Sequence, residues 1–274
     1  MHTTSLAPAK TAEPGLSAGE LVRFREQGWV GNFPLVNAAE ASSIASRRES
    51  QIARFSYPDN RGLQGGPGAF ERRPWFKSMH AYLPDYFALA SHPAIVGRVA
   101  SILGPDLIAW GVTTILMQPG QVHRWHVDLE HTHWEGVSAF IGLQGNMTQT
   151  NLKVVTRSQR MGALPQHLGI HSDADALAAC RRGDPAAALE VMDVEVGEFS
   201  LFDGRLWHGS HNTGEVPRIA MIAQYARPDA RIRIPLNWDE PIRWHPDPPP
   251  CVLVRGQDRY GINRVVTAPL HLAD

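Results

Sequence analysis

The pattern of hydrophobic and polar positions changes near residue 107. Before that point, apolar residues recur at helical spacing between residues that begin or end helices, such as Ser17 and Glu20, which fit a capping box. These signals predict helices at about 17–27, 38–53 and 93–103. After that point, short apolar runs separated by turn residues predict strands. The predicted strands span 107–117, 122–129, 137–144, 151–156, 191–195, 198–202, 205–210, 218–226 and 230–235.

Many short strands with few helices between them indicate a sandwich or barrel. We therefore expect a mainly β fold with flanking helices. An Ala-rich segment at 163–190 predicts a helical insert between the strands, and the residues after 235 are expected to pack over the barrel. The sequence shows no internal repeat or linker, so we predict a flexible tail at 1–15 followed by a single domain over 16–274.

Composition narrows the function classes. The chain has 274 residues, of which 43% are hydrophobic and 19% are charged, as in an ordinary globular protein. A net charge of −1 gives no basic excess for nucleic acid or an anionic membrane, so neither partner is expected. Two cysteines are too few for a four-cysteine zinc site or an iron–sulfur cluster. We find no apolar leader and no run of about 18 apolar residues, and we therefore expect a cytoplasmic protein.

The candidate chemistry lies among the 13 histidines, four of which fall within 123–133. A His-x-Asp pair on a strand can bind one metal, because residues i and i+2 face the same side. The sequence contains three such pairs: His126/Asp128, His171/Asp173 and His245/Asp247. Only the first lies in a strand-like run, since the second falls at a predicted helix start and the third lies in a Pro-rich tail.

A later histidine would complete a set of two histidines and one carboxylate. His208 and His211 both qualify from the residues alone. This ligand set suits Fe(II) oxygenases, because it leaves coordination positions open. Arg218 opens the next predicted strand, and an arginine there can hold a carboxylate through two parallel hydrogen bonds. The far carboxylate of 2-oxoglutarate needs such a partner.

These segments resemble the phytanoyl-CoA dioxygenase family over about 16–235. The resemblance is carried by Gln118-Pro119-Gly120 ahead of Trp125-His126-Val127-Asp128, and by Trp207-His208-Gly209-Ser210 followed by Asn212 and Arg218. It implies a double-stranded β-helix, which is a cupin-like jelly roll. It also implies three iron ligands, His126, Asp128 and His208, and favours His208 over His211. Arg218 would bind 2-oxoglutarate, with Ser210, Phe140 and Thr113 nearby.

The resemblance implies an Fe(II)/2-oxoglutarate-dependent dioxygenase that uses O2 and forms succinate and CO2. Its expected substrate is a small molecule, such as a secondary metabolite, that becomes hydroxylated. Related halogenases have Gly or Ala in place of the carboxylate, so Asp128 favours oxygen transfer over chlorination. Two alternatives stay open: a cupin-like metal enzyme with three His and one Glu that does not use 2-oxoglutarate, and a non-enzymatic metal- or ligand-binding barrel.

For several other residues the sequence supports only general expectations. His123, His131, His133 and His211 are expected to be solvated or to surround the metal ligands rather than to bind metal. Trp134 is interpreted as a packing residue, with a pocket wall as the alternative. Substrate specificity is expected to depend on the loops at 54–80, 129–136 and 163–190.

Overall fold

The computed structural model describes residues 14–52, 77–130, 132, 134–145, 147–235 and 241–270. The helices are α1 (Ala18–Gln27), α2 (Ala38–Ser46), α3 (Arg48–Ile52), α4 (Pro84–Ala90), α5 (Pro93–Leu103) and α6 (Asp173–Gly183). The strands are β1 (Trp29–Pro34), β2 (Leu107–Met117), β3 (Val122–His126), β4 (Gly136–Gln144), β5 (Leu152–Val155), β6 (Leu189–Met192), β7 (Glu198–Asp203), β8 (His208–His211), β9 (Arg218–Ala226), β10 (Cys251–Arg255) and β11 (Val265–Val266).

The strands form two sheets that pack face to face. The larger sheet has the order β1-β7-β4-β9-β2-β10-β11, and the smaller one has the order β3-β8-β5-β6. Side chains from both sheets meet in one buried cluster, including Phe140 and Ile222 from the larger sheet and Leu152 and Val154 from the smaller one. The predicted mainly β fold with flanking helices is confirmed.

Strand β4 shows how the larger sheet is covered on both faces. Val137 and Ile141 pack with the N-terminal helices, whereas Phe140 joins the cluster between the sheets. Ser138 shares the inner face with Phe140, because alternate residues of a strand point to the same side. Burial on both faces explains why the sequence of β4 reads as a nearly continuous apolar run. It also means that a polar residue on the inner face requires a partner.

Most of the predicted helix ends are confirmed. The side-chain hydroxyl of Ser17 accepts from the backbone N–H of Glu20, and the carboxylate of Glu20 accepts from the backbone N–H of Ser17. Helix α5 begins at Pro93 and is followed by Gly104 at its C-cap. The single helix predicted at 38–53 is wrong, because it divides at Arg47 into α2 and α3.

The strand predicted at 230–235 is also wrong. Ile232 and Ile234 are buried between exposed arginines, so the segment has the alternation of a strand. Its backbone, however, bonds outside any sheet: the N–H of Ile232 donates to the side chain of Asn263 at 2.9 Å, and the carbonyl of Ile234 accepts from the N–H of His245 at 2.8 Å. Only Pro235 forms a bridge, with Trp244.

Several elements were not predicted, and some predictions are not tested. Strands β10 and β11 extend the larger sheet within a segment that was expected only to pack over the barrel. The insert at 163–190 contains α6, as predicted, and the strand predicted at 191–195 forms as β6, which begins earlier, at Leu189 within the insert. Residues 1–13 and 53–76 lie outside the described part of the chain, which includes most of the predicted tail and most of the loop at 54–80. The single domain over 16–274 stays a prediction.

No single helix in the described part of the chain has the length and apolar character needed to cross a membrane. Helices α4 and α5 pass that test only when taken together, and they are bent by 48° at the break between them. Ile95, Val96 and Val99 of α5 are buried in the cluster that joins the helices to the larger sheet.

Replacing Tyr225 with phenylalanine should lower the free energy of unfolding by about 1 kcal/mol. The buried hydroxyl of Tyr225 on β9 donates to the carbonyl of Ala90 at the end of α4, at 2.8 Å. The variant removes this bond and leaves a carbonyl unpaired. Urea denaturation measures the change, and the exposed Tyr260→Phe serves as the control. Equal free energies of unfolding for the two variants would contradict a stabilising hydrogen bond from Tyr225 to Ala90.

Candidate metal centre

The antiparallel pairing of β3 with β8 brings two histidines together. His126 at the end of β3 lies opposite His208 at the start of β8, and their ring centroids are 4.1 Å apart. Asp128 follows β3 by two residues, and its Oδ1 lies 3.6 Å from Nε2 of His208. The potential ligand atoms of these three residues lie within 4.8 Å of one another. Among the described residues, this is the one group of at least three such side chains that could hold a metal ion.

Hydrogen bonds fix the orientation of all three side chains. Nδ1–H of His126 donates to the carbonyl of Arg124 at 2.7 Å, and Nδ1–H of His208 donates to the carbonyl of Leu206 at 2.8 Å. Because a carbonyl only accepts, each bond places the proton on Nδ1 and leaves the lone pair of Nε2 free for a metal. The hydroxyl of Ser138 donates to Oδ2 of Asp128 at 2.5 Å, which leaves Oδ1 facing His208.

The surroundings favour the metal-binding protonation states. Burial, reinforced by His208 and His123, holds the pKa of His126 well below its ordinary value. Burial alone would raise the pKa of Asp128, but the adjacent imidazole of His208, together with His126 and the hydroxyl of Ser138, outweighs this effect and holds that pKa well below its usual range. At neutral pH His126 is therefore neutral and Asp128 is anionic, the forms that bind metal. Two imidazoles and one carboxylate fit Fe(II).

A second feature of the same cavity is the buried cation of Arg218. Its side chain is 1% exposed, and one of its nitrogens, Nη2, contacts Sδ of Met117 at 2.5 Å and Oγ of Ser210 at 3.3 Å. Within the described part of the chain, Nε and Nη1 have no partner and no carboxylate pairs with the guanidinium. Burial lowers the pKa of Arg218 to about 10, so the group is still charged at neutral pH. A buried cation without a partner is costly, and a ligand carboxylate would complement it.

The metal cluster and Arg218 line a single cavity of about 510 Å³. This volume lies within the range of small-molecule sites, roughly 300–1,000 Å³. The ring of Phe140 lies 5.3 Å from the guanidinium of Arg218, and Ser210 and Thr113 also line the cavity. The hydroxyl of Thr113 contacts Sδ of Met79 at 3.9 Å. All seven residues predicted from the sequence therefore lie around one cavity.

The fold distinguishes the remaining histidines. His211, the other candidate ligand, is exposed at the far end of β8 and lies outside the metal cluster. The ring of His123 lies 4.3 Å from that of His126 and lines the cavity, and burial lowers its pKa to about 4. His123 thus lies beside the metal ligands, which was one of the two positions expected for it; the other was a solvated surface. His131 and His133 lie outside the described residues.

Sequence reasoning missed two polar residues of the site. Ser138 could have been found, because it is a hydroxyl residue within the apolar run of β4. No local sequence pattern pointed to Glu130. It lines the cavity, and burial raises the pKa of its carboxyl group to about 8. Trp134 packs against the buried cluster that contains Trp110 and also lines the cavity, so both interpretations agree with the structure.

Three solved structures share the fold. CytC3 with Fe(II) and α-ketoglutarate is 18% identical, with a TM-score of 0.62 over 95% of this chain and 99% of that chain. The non-heme monooxygenase ThoJ in its apo form is 20% identical, with a TM-score of 0.59 over 90% and 86%. The epimerase SnoN in complex with Fe3+, α-ketoglutarate and nogalamycin RO is 16% identical, with a TM-score of 0.56 over 78% and 84%. At these identities the similarity establishes the fold, and the predicted jelly roll is confirmed.

No curated protein matches the chain significantly in sequence. The sequence profile of a family described as phytanoyl-CoA dioxygenase (PhyH) matches residues 24–220. That span covers most of the chain and contains His126, Asp128, His208 and Arg218. The chain therefore belongs to the phytanoyl-CoA dioxygenase family.

Proposed function

We propose that the protein is an Fe(II)/2-oxoglutarate-dependent dioxygenase that hydroxylates a small molecule. One observation carries the proposal. A cluster of two histidines and an aspartate shares a cavity with a buried arginine, two of whose nitrogens have no partner among the described residues. The first feature suits iron, and the second suits the carboxylate of a cosubstrate. Membership of a dioxygenase family agrees with both.

The three clustered side chains would hold iron. His126 and His208 present Nε2, because their Nδ1–H groups are engaged by backbone carbonyls. Asp128 presents Oδ1 while Ser138 holds its other oxygen, and its negative charge offsets part of the metal charge. Bound Fe(II), with O2 and 2-oxoglutarate, supplies the oxidising power for hydroxylation, and the cosubstrate leaves as succinate and CO2.

Arg218 would anchor the far carboxylate of 2-oxoglutarate through Nε and Nη1. Ser210 contacts the same guanidinium and would orient it, while Phe140 lies beside it. Ile115 and Ile222 line the cavity and pack with the cluster between the sheets. This apolar wall limits the access of water, so the charge of Arg218 acts in a medium of low polarity.

The substrate is proposed to be a small molecule of secondary metabolism. The cavity volume supports the first part, and the second rests on likeness to proteins such as SnoN, whose structure contains nogalamycin RO. The cytoplasmic location and the lack of a nucleic-acid or membrane partner stay predictions. The cupin-like alternative offers no role for Arg218, and the described cluster contains aspartate instead of a third histidine and a glutamate.

Anaerobic addition of Fe(II) and 2-oxoglutarate should produce the weak visible charge-transfer band of the chelate. His208→Ala should abolish the band, because it removes a ligand. His211→Ala is the matched control, since this exposed residue lies on the same strand, and it should retain the band. Iron binding by the wild-type protein without the band would overturn the use of 2-oxoglutarate and favour the cupin-like alternative.

Arg218→Gln should weaken the binding of 2-oxoglutarate about tenfold or more, since it removes charge-assisted hydrogen bonds to a carboxylate. Calorimetric titration of the Ni(II)-loaded protein measures this affinity without turnover. Arg233→Gln removes an exposed arginine that lines the same cavity and should leave the affinity near that of the wild type. An unchanged affinity in Arg218→Gln would contradict the assigned role.

Ser138→Ala should weaken metal binding about tenfold to a hundredfold, because Asp128 would lose the bond that orients it. Titration with Fe(II) under anaerobic conditions measures the effect. Ser91→Ala is the control, since it removes a serine hydroxyl that bonds to the carbonyl of Phe87 in helix α4. Equal metal affinities in the two variants would show that Ser138 does not position the ligand.

A further inference from the structure

Cationic side chains outnumber carboxyl groups in the wall of the cavity. The cations among the described residues are Arg48, Lys77, Arg218 and Arg233, and the carboxyl groups are those of Asp128 and Glu130. The proposed function assigns Asp128 to iron and Arg218 to the cosubstrate. Fe(II) and 2-oxoglutarate carry opposite and equal charges, so with these two residues they add no net charge. Three cations therefore remain against one carboxyl group, and this excess holds for either protonation state of Glu130.

Lys77 is the remaining cation that is best placed to bind a ligand. Its backbone carbonyl accepts from the N–H of Val112 at 2.5 Å, which anchors the residue to β2. Its side chain is half-buried, and Nζ lies 5.9 Å from the centre of the Trp110 ring. Within the described part of the chain, no carboxylate or carbonyl oxygen bonds to this ammonium group. The charge of Lys77 is thus held against the cavity wall and is available to a ligand.

The other two remaining cations differ in their surroundings. Nε of Arg48 donates to the hydroxyl of Thr114 at 3.0 Å, so this half-buried guanidinium lies along the same strand as Lys77. Arg233 is exposed, and its guanidinium lies 5.5 Å from the ring of Trp244, so water and salt screen its charge. Arg48 and Lys77 are therefore the two cations whose charge an anionic ligand would compensate most effectively.

The cavity wall also carries buried polar atoms that have no partner among the described residues. They are Nε1 of Trp110, Oγ1 of Thr132 and Oε2 of Glu130, whose other oxygen accepts from the amide of Gln166. Because buried polar groups in native proteins are almost always paired, such atoms in one wall indicate the position of a ligand. The indole N–H of Trp110 and the ammonium of Lys77 only donate, so the ligand group beside them is an acceptor.

We propose that the substrate is a small organic acid whose anionic group binds Lys77, with Arg48 as a second cation. This inference rests on the proposed oxygenase function and names the class of its substrate. The apolar or aromatic body of the acid lies against Trp110 and Trp134, whose rings are edge to face with centroids 5.6 Å apart. A charge-assisted hydrogen bond from Lys77 fixes the acid end at the wall formed by β2 and so determines which carbon faces the metal centre.

The test uses two probes of nearly equal shape, 3-phenylpropionate and 3-phenylpropanamide, which differ in the charged carboxylate and the neutral amide. Calorimetry measures their binding to the full-length protein loaded with Ni(II) and 2-oxoglutarate, so that the metal and Arg218 are already occupied. The wild-type protein should prefer the acid about tenfold or more, since hydrogen bonds between charged groups are stronger than neutral ones. In Lys77→Gln the two affinities should agree within about twofold.

Two further variants complete the test. Lys77→Arg keeps the charge and should retain a preference for the acid. Arg259→Gln removes one positive charge at an exposed position outside the cavity and should behave as the wild type. The inference is overturned if the wild-type protein does not bind the acid, if it binds the amide equally well, or if Lys77→Gln keeps the preference. Titration with 2-oxoglutarate comes first, because its failure to bind the wild-type protein overturns the proposed oxygenase function instead.

Discussion

The pairing of β3 with β8 is the constraint on which the metal centre depends, because it sets His126 opposite His208. A shift of one residue would turn either imidazole to the other face of the small sheet. Apolar packing prevents that shift: Trp125 and Trp207, each adjacent to a ligand, are buried with Ala176 of α6 in one cluster. Hydrophobic contacts outside the cavity thus fix the register, and the polar ligands inside it follow.

The sequence predicted the fold best where local signals were complete. Strands β2 and β9 match their predicted ranges, 107–117 and 218–226, because both are long, apolar and bounded by turn residues. Strands β10 and β11 were missed because they are short and follow a Pro-rich segment. The false strand at 230–235 shows the reverse case, since its alternation reflects side-chain burial while its backbone bonds elsewhere. Alternation of apolar and polar residues shows which face of a segment is buried, but it does not show where the backbone hydrogen bonds of that segment go.

The candidate site, like the fold, could be predicted from the sequence only in part. His126, Asp128 and Arg218 follow from spacing and chain order, but spacing alone left His208 and His211 equivalent. Three residues apart on one strand, these two point to opposite faces, so the fold makes the choice. Ser138 and Glu130 lie where they do because of contacts that no local pattern encodes. Ser138 bonds to Asp128, ten residues earlier in the chain, and Glu130 is held by Gln166, 36 residues later.

In its proposed role as the cosubstrate anchor, the buried guanidinium of Arg218 would couple the folding equilibrium to the cellular concentration of 2-oxoglutarate. A desolvated charge with two nitrogens that no described residue engages makes the ligand-free native state less favourable than it would otherwise be. A dicarboxylate that compensates this charge adds to native-state stability, by about 2.7 kcal/mol at a concentration a hundredfold above its dissociation constant. The amount of folded protein would thus rise with the concentration of the cosubstrate. Binding of 2-oxoglutarate at Arg218 would both prepare the enzyme for catalysis and protect it against unfolding and proteolysis.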